Sequence, residues 1–283
     1  MHGEVLSASG PATERTPATR GWRNVSRGRA FATHLVTSAT VVGTVCALIF
    51  FVWYPHPYFA ATGAWGVLRI LIGVDLVLGP LLTLIVFKPG KRGLEFDLAV
   101  IAVAQLAALV YGTSAIYQER PYAVVFAVDR FHVVARPDVA ADELADPMLM
   151  APERIGAKPF VGPLLVVATL PSDPEGRSRV IEGMFDGKPD IEGRPLYWSS
   201  YASEAAQVTA KAQPVAALRA ARPKAADPLD ALTAELGRAE GSLGFLPLLT
   251  KERDLAMIVD LATGMPLDVL DVDPWIDVGT RPK

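Results

Sequence analysis

Two long apolar runs, Gly66–Phe87 and Leu94–Ile116, are separated only by Lys88-Pro89-Gly90-Lys91-Arg92-Gly93. A helix needs about 20 mostly apolar residues to cross a bilayer, and both runs reach that length. So short and polar a joint between them predicts an antiparallel pair of transmembrane helices. Everything else in the chain takes its side of the membrane from that pair.

A third apolar run, Ala30–Tyr54, lies upstream, behind Arg20, Arg23, Arg27 and Arg29, and ends in Phe50-Phe51-Val52-Trp53-Tyr54. A signal peptide also has a basic start and an apolar core, but that core is only about 7–15 residues and closes on a small-residue cleavage site. This run is longer, and its exit, Pro55 to Ala61, makes a poor site, so the reading is a retained helix. Basic flanks mark the cytoplasmic side and aromatic residues the interface. The N-terminal flank is rich in arginine, the loop Pro55–Ala64 has no Lys or Arg, and the joint after Phe87 carries Lys88, Lys91 and Arg92. The alternation predicts a cytoplasmic N-terminus and an outward C-terminal part, which in a Gram-negative inner membrane is periplasmic.

Charge divides at the same place. Up to Tyr117 nine Lys/Arg face five Asp/Glu, and beyond it 18 face 25, so the two parts carry +4 and −7. A basic membrane part joined to a mildly acidic outer part argues against nucleic-acid binding. The expected fold is an integral membrane protein with three transmembrane α-helices followed by an α+β periplasmic domain with an antiparallel sheet. Its divisions are a disordered basic extension over 1–29, a membrane part over 30–117 with helices near 30–54, 66–87 and 94–116, and the outer domain over 118–283.

In the outer domain Tyr122–Val128 and Phe131–Ala135 are β-rich; they predict a hairpin turned at Asp129-Arg130, or a single bent strand. Leu164–Leu170 reads as a buried strand and Pro171–Leu196 as loop. Helices are expected over Ser199–Ala212 and from Asp227-Pro228, with Asp227 as N-cap, to Gly237 or Gly241. Phe245–Thr250, Leu255–Leu261 and Pro266–Val272 predict an antiparallel meander.

Asp75 lies about nine residues into the second helix, or roughly 14 Å at 1.5 Å per residue, near the midplane of the hydrocarbon. A carboxylate there must face protein or be protonated. Gly79-Pro80 marks a break in that helix, because proline removes a backbone donor. Counted from the centre of the joint, Gln105 lies as far along the third helix as Asp75 lies back along the second, so the two are expected to meet as an intramembrane polar pair. No second buried acid or histidine is expected to extend the pair into a proton relay. Arg69 lies near the outer face and Asp97 near the inner.

No catalytic set, metal site or cofactor site is expected. The four histidines, His2, His34, His56 and His132, are scattered, Cys46 is the single cysteine, and the sequence has no CxxC, HExxH or phosphate loop. His132 sits in a strand pattern, and Ser199-Ser200 has no histidine nearby in sequence. The acids Asp268, Asp271, Asp273 and Asp277 lack calcium-loop spacing and read as a solvated face.

The chain resembles the type IV pilin accessory proteins of the TfpX/TfpZ kind. The likeness is carried by Phe51-Val52-Trp53-Tyr54-Pro55, by Gly73-Val74-Asp75-Leu76-Val77-Leu78-Gly79-Pro80-Leu81-Leu82-Thr83 and by Phe87-Lys88-Pro89-Gly90-Lys91. It continues in Asp97-Leu98, Tyr117-Gln118 and Phe126-Ala127-Val128-Asp129-Arg130-Phe131, then Leu246-Pro247-Leu248, Asp260 to Gly264 and Asp273-Pro274-Trp275. Among these, Asp129, Arg130, Phe131, Pro247, Pro274 and Trp275 are the outer-domain positions singled out. The resemblance implies an inner-membrane, non-enzymatic, chaperone-like factor that assists assembly or display of a cognate pilin, with the pilin, the assembly machinery and lipid as partners. It supplies no catalytic residues. The chain lacks the Gly-Phe-Thr-Leu start of a processed pilin. An alternative, from the hairpin around Asp260 to Gly264, is a membrane-anchored periplasmic sensor with a PepSY-like module.

Overall fold

The computed structural model describes residues 25–56, 58–62 and 64–276. Residues 1–24 of the extension expected to be disordered, and Asp277, lie outside the described residues, whereas Arg27–Arg29 of that extension already belong to the first helix. Three helices are long and apolar enough to cross a membrane: α1 (Arg27–Trp53), α2 (Trp65–Val86) and α3 (Leu94–Gln118). Ser26 starts α1 by accepting a hydrogen bond from the Arg29 amide at 3.2 Å, the usual role of an N-cap hydroxyl. The joint between α2 and α3 reverses the chain through Gly90 and Gly93, at φ 77° and 80°, a conformation that side chains with a Cβ resist. Both α1 and α3 pack on α2 rather than along each other. The result is a three-helix layer with α2 in the middle.

The helices end in an aromatic cap. Phe50, Phe59 and Trp65 meet edge to face, with Phe50–Phe59 centroids at 4.5 Å and Phe59–Trp65 at 5.0 Å. The Tyr54 hydroxyl donates to the Ile116 carbonyl at 2.7 Å, tying the end of α1 to that of α3.

Two residues after α3 the head domain begins. Its strands are β1 (Pro121–Ala127), β2 (Arg130–Ala135), β3 (Leu164–Ala168), β4 (Trp198–Ser200), β5 (Gln213–Pro214), β6 (Leu243–Leu249), β7 (Asp254–Asp260) and β8 (Pro266–Leu270). They form one sheet in the order β4-β3-β1-β2-β6-β7-β8, with β5 also on β6. The sheet is mixed, not antiparallel: β1 runs parallel to β3, and β2 to β6. Hairpin-length joints force antiparallel pairing only between consecutive strands; β3 and β6 enter after long connections, which permit parallel pairing. The β6-β7-β8 meander is antiparallel. The β1–β2 turn falls at Val128-Asp129, since Arg130 already pairs with Ala127.

The longer head helices are α4 (Pro174–Phe185), α5 (Tyr201–Lys211), α6 (Val215–Ala221) and α7 (Ala226–Leu236). One face of the sheet, with Phe126, Phe131, Leu246 and Met257, packs against Tyr201 and Val208 of α5. The other is covered by Val180 of α4 over β1 and β3, and by Leu218 of α6 and Leu229 of α7 over β6 and β7. Central β1, covered on both sides, is buried throughout.

Two local expectations are corrected. Pro171–Leu196 is not all loop: Asp173 caps α4, its carboxylate accepting from the Gly176 amide at 2.6 Å, with Pro174 at the first helical position. Asp227 is not an N-cap, because a 3₁₀ turn over Pro223–Ala225 runs into α7 and moves the start to Ala226.

Candidate functional site

The centre of α2 is wound as a π-helix over Gly73–Leu78. There the Gly79 amide donates to Val74 rather than to Asp75. In π-winding the next donor for the Asp75 carbonyl belongs to position 80, which is proline and has none. Gln105 of α3 supplies the missing donor: its Nε2 lies 3.2 Å from the Asp75 carbonyl and 3.3 Å from Asp75 Oδ1. Gly79 makes room, for a Cβ there would overlap the Gln105 amide. The structure thus brings Asp75, Gln105, Gly79 and Pro80 into one arrangement.

Asp75 is 4% exposed and Gln105 9%. Asp75 Oδ2 and Gln105 Oε1 are buried and have no hydrogen-bond partner among the described residues. Both residues line a groove of about 160 Å³ between α1 and α3, walled by Val41, Val42 and Leu106. His34 and Ser38 of α1 line it too, and His34 Nδ1 shares a 2.5 Å hydrogen bond with the buried Thr83 hydroxyl of α2. His34 thus shares the groove with Asp75, while its hydrogen bond goes to Thr83. The available signal was periodic: His34, Ser38 and Val42 recur every four residues, so one face of α1 carries them.

A second cavity, of about 480 Å³, lies where the three-helix layer meets the head. Phe50, Phe59 and Trp65 form one wall, and Leu255, Val269 and the Arg253–Asp271 pair the other. Tyr58 reaches the sheet core, and His56 lies 3.7 Å from Asp268.

At the turn end of the sheet, Arg130 donates to Asp129 at 2.6 Å and lies 4.9 Å over the Trp275 ring, whose Nε1 donates to Asp254 at 2.7 Å. Asp129, Arg130 and Trp275 therefore converge. Phe131 instead belongs to the core, 5.3 Å from Phe126. Pro247 sits in β6 between the residues that pair with β5 and those that pair with β2, where that edge needs no amide. The Pro274 carbonyl accepts from the Ile276 amide. The acids of the tail are paired: Asp271 with Arg253 at 2.7 Å and Asp273 with Arg222 at 3.0 Å. Nearer the ends of the long helices, Arg69 lies over the Trp65 ring and Asp97 pairs with Lys91.

His132 lines a shallow cavity of about 240 Å³ with Asp138, Glu192 and Lys251. Burial, assisted by Arg130, pushes its pKa down to about 4, and burial raises that of Glu192. The Ser199 hydroxyl donates to the Val167 carbonyl, a strand contact. No cluster of three metal-ligating side chains occurs among the described residues.

Residues 22–63 match the family model described as the fimbrial assembly protein FimB. The chain is 37% identical over 185 residues to the fimbrial assembly protein of serogroup I from Dichelobacter nodosus, spanning 65% of this chain and 70% of that one. It is 36% identical over 185 residues to the serogroup E1 protein of that organism, with the same shares covered. Against the protein of serogroups C1 and C2 it is 42% identical over 113 residues, which is 39% of this chain and 86% of that one. No solved structure matches.

Proposed function

Because the chain belongs to the family of fimbrial assembly proteins, we propose that it is a membrane-anchored, non-enzymatic accessory factor in fimbrial assembly. Its client is the fimbrial subunit, of the type IV pilin class to which the TfpX/TfpZ resemblance points. Its seat is the bacterial inner membrane, with the N-terminus cytoplasmic and the head periplasmic. The likeness to proteins named for fimbrial assembly carries this reading, and the architecture supports it. Three apolar helices set a head against the membrane surface, and polar groups collect in a groove and at the head's turn end. These are surfaces for binding a chain, and the chaperone-like role follows from holding a subunit both in the membrane and outside it.

The test is recovery of the subunit with the tagged full-length protein from membranes in mild detergent, beside surface fimbriae counted in a deletion strain. The expected result is co-purification and loss of fimbriae. A strain with unchanged fimbriae and no recovered subunit rejects the proposal.

A further inference from the structure

The groove between α1 and α3 has a polar floor that the chain itself leaves incompletely bonded. Gln105 Nε2 is turned to two acceptors on Asp75, and the remaining polar atom of the amide, Oε1, is an oxygen that accepts whatever the protonation of Asp75. It and Asp75 Oδ2 stand buried at the groove without partners among the described residues. Leaving such atoms unbonded in a medium without water is costly, so the site calls for a hydrogen-bond donor.

Depth decides where the donor comes from. Asp75 lies ten residues into α2, about 15 Å from its outer end at 1.5 Å per residue, and so at the middle of a core about 30 Å thick. Lipid donors sit in the headgroups, roughly that far away. The backbone that reaches the midplane from outside the protein is helical, because other forms leave polar groups unbonded in lipid. A second copy of this chain is poorly equipped at this depth: the exposed hydroxyls in the middle of α1, those of Thr37, Thr40 and Thr44, already donate to the carbonyls of Thr33, Val36 and Thr40.

We propose that this groove docks a membrane-spanning helix of a partner chain, one that inserts a hydrogen-bond-donating side chain beside Asp75 and Gln105. That the partner is the fimbrial subunit rests on the function proposed above. The groove has room for a side chain rather than a helix, so the helix lies across its mouth, against Val41 and Leu106, which are 42% and 60% exposed.

The test places a photo-crosslinking amino acid at Val41, at Leu106 or, as a control outside the groove, at Val77, in the full chain within cells that make the subunit. Adducts are read with an antibody to the subunit. The expected adduct forms at Val41 and Leu106 and not at Val77. It weakens about tenfold when Asp75→Leu and Gln105→Leu are combined in a protein still inserted at normal level. No adduct at the groove positions, an adduct between two copies of this chain, or an adduct undiminished by the double substitution overturns the proposal. The comparison of positions uses the native floor, so it stands even if the double variant fails to fold. Subunit that co-purifies without a groove adduct sinks this inference alone, whereas loss of both sinks the functional reading with it.

Discussion

Gln105 donates to the main-chain carbonyl of Asp75 at 3.2 Å, across from one long apolar helix to the next. The same amide reaches the carboxylate at 3.3 Å, so a single side chain serves two acceptors. Gln105→Leu therefore strips both. The expected cost is about 1–2 kcal/mol, within the range of membrane hydrogen bonds and of unsatisfied buried groups. Combining it with Asp75→Leu removes the carboxylate but not the carbonyl, so the double variant should be more stable than Gln105→Leu and less stable than the parent. Unfolding in detergent micelles ranks the three; a double variant below Gln105→Leu rejects the pairing.

Gly79→Ala acts on the same contact from the other side. Its Cβ would occupy the place of the Gln105 amide, which must swing away and release Asp75. The loss should match that of Gln105→Leu, and the two should not add, because either change breaks the same bonds. Additive losses in a double-mutant cycle would mean that Gly79 matters for helix packing alone.

What could be read in the sequence divides along physical lines. The three long helices follow from apolar length, and equal counting from the joint brings Asp75 and Gln105 to one depth. Consecutive strands such as β6, β7 and β8 follow from turn-length separators. The β1–β3 and β2–β6 pairings do not, because nothing local sets the direction in which a strand returns after a long connection. Helix α4 was hidden by its glycines and charges, although Asp173-Pro174 repeats the signature of Asp227-Pro228. The second of these is the one the structure does not use as a cap, since the preceding turn was invisible to a motif of two residues. His34 joins the groove by helix periodicity across two separate spans, a relation that a single-helix reading does not reach.

Sidedness is tested by fusion. Lys88, Lys91 and Arg92 flank the α2–α3 joint, and the loop Pro55–Ala64 has no basic residue. Alkaline phosphatase, active only outside the cytoplasm, is expected to be active after Lys283 and inactive after Gly90. The reverse pattern overturns the proposed orientation.

In the head, Glu143 and Arg194 form a buried ion pair at 2.9 Å, and Glu143 also accepts from the Leu196 amide at 2.9 Å. Arg194 is already short of a partner at one guanidinium nitrogen. Glu143→Ala leaves the guanidinium buried with little compensation, an expected cost of about 3–5 kcal/mol. Replacing both residues with apolar ones of similar size should recover most of it. A Glu143→Ala protein that melts with the parent would show that the pair is open to water.

His132 gives the head a pH dependence whose sign can be stated. Burial first, then Arg130, push its pKa from 6.5 down to about 4, so the folded head favours the neutral ring. Its contribution to stability is complete above pH 6.5, where the ring is neutral in both states. It is lost as pH falls from 6.5 towards 4, where the unfolded chain takes up a proton that the folded one refuses. Discounted for partial exposure, the loss is about 2 kcal/mol. Glu192 works in the opposite sense, since burial raises its pKa and its neutral form is favoured in the fold. It is present in parent and variant alike, so it largely cancels in a comparison of the two. The expected outcome is that His132→Gln flattens the fall in stability between pH 7 and pH 4 relative to the parent, measured by denaturant unfolding in micelles. Parallel curves for the two proteins would mean that His132 titrates as it does in water, and that the cavity beside it is open to solvent.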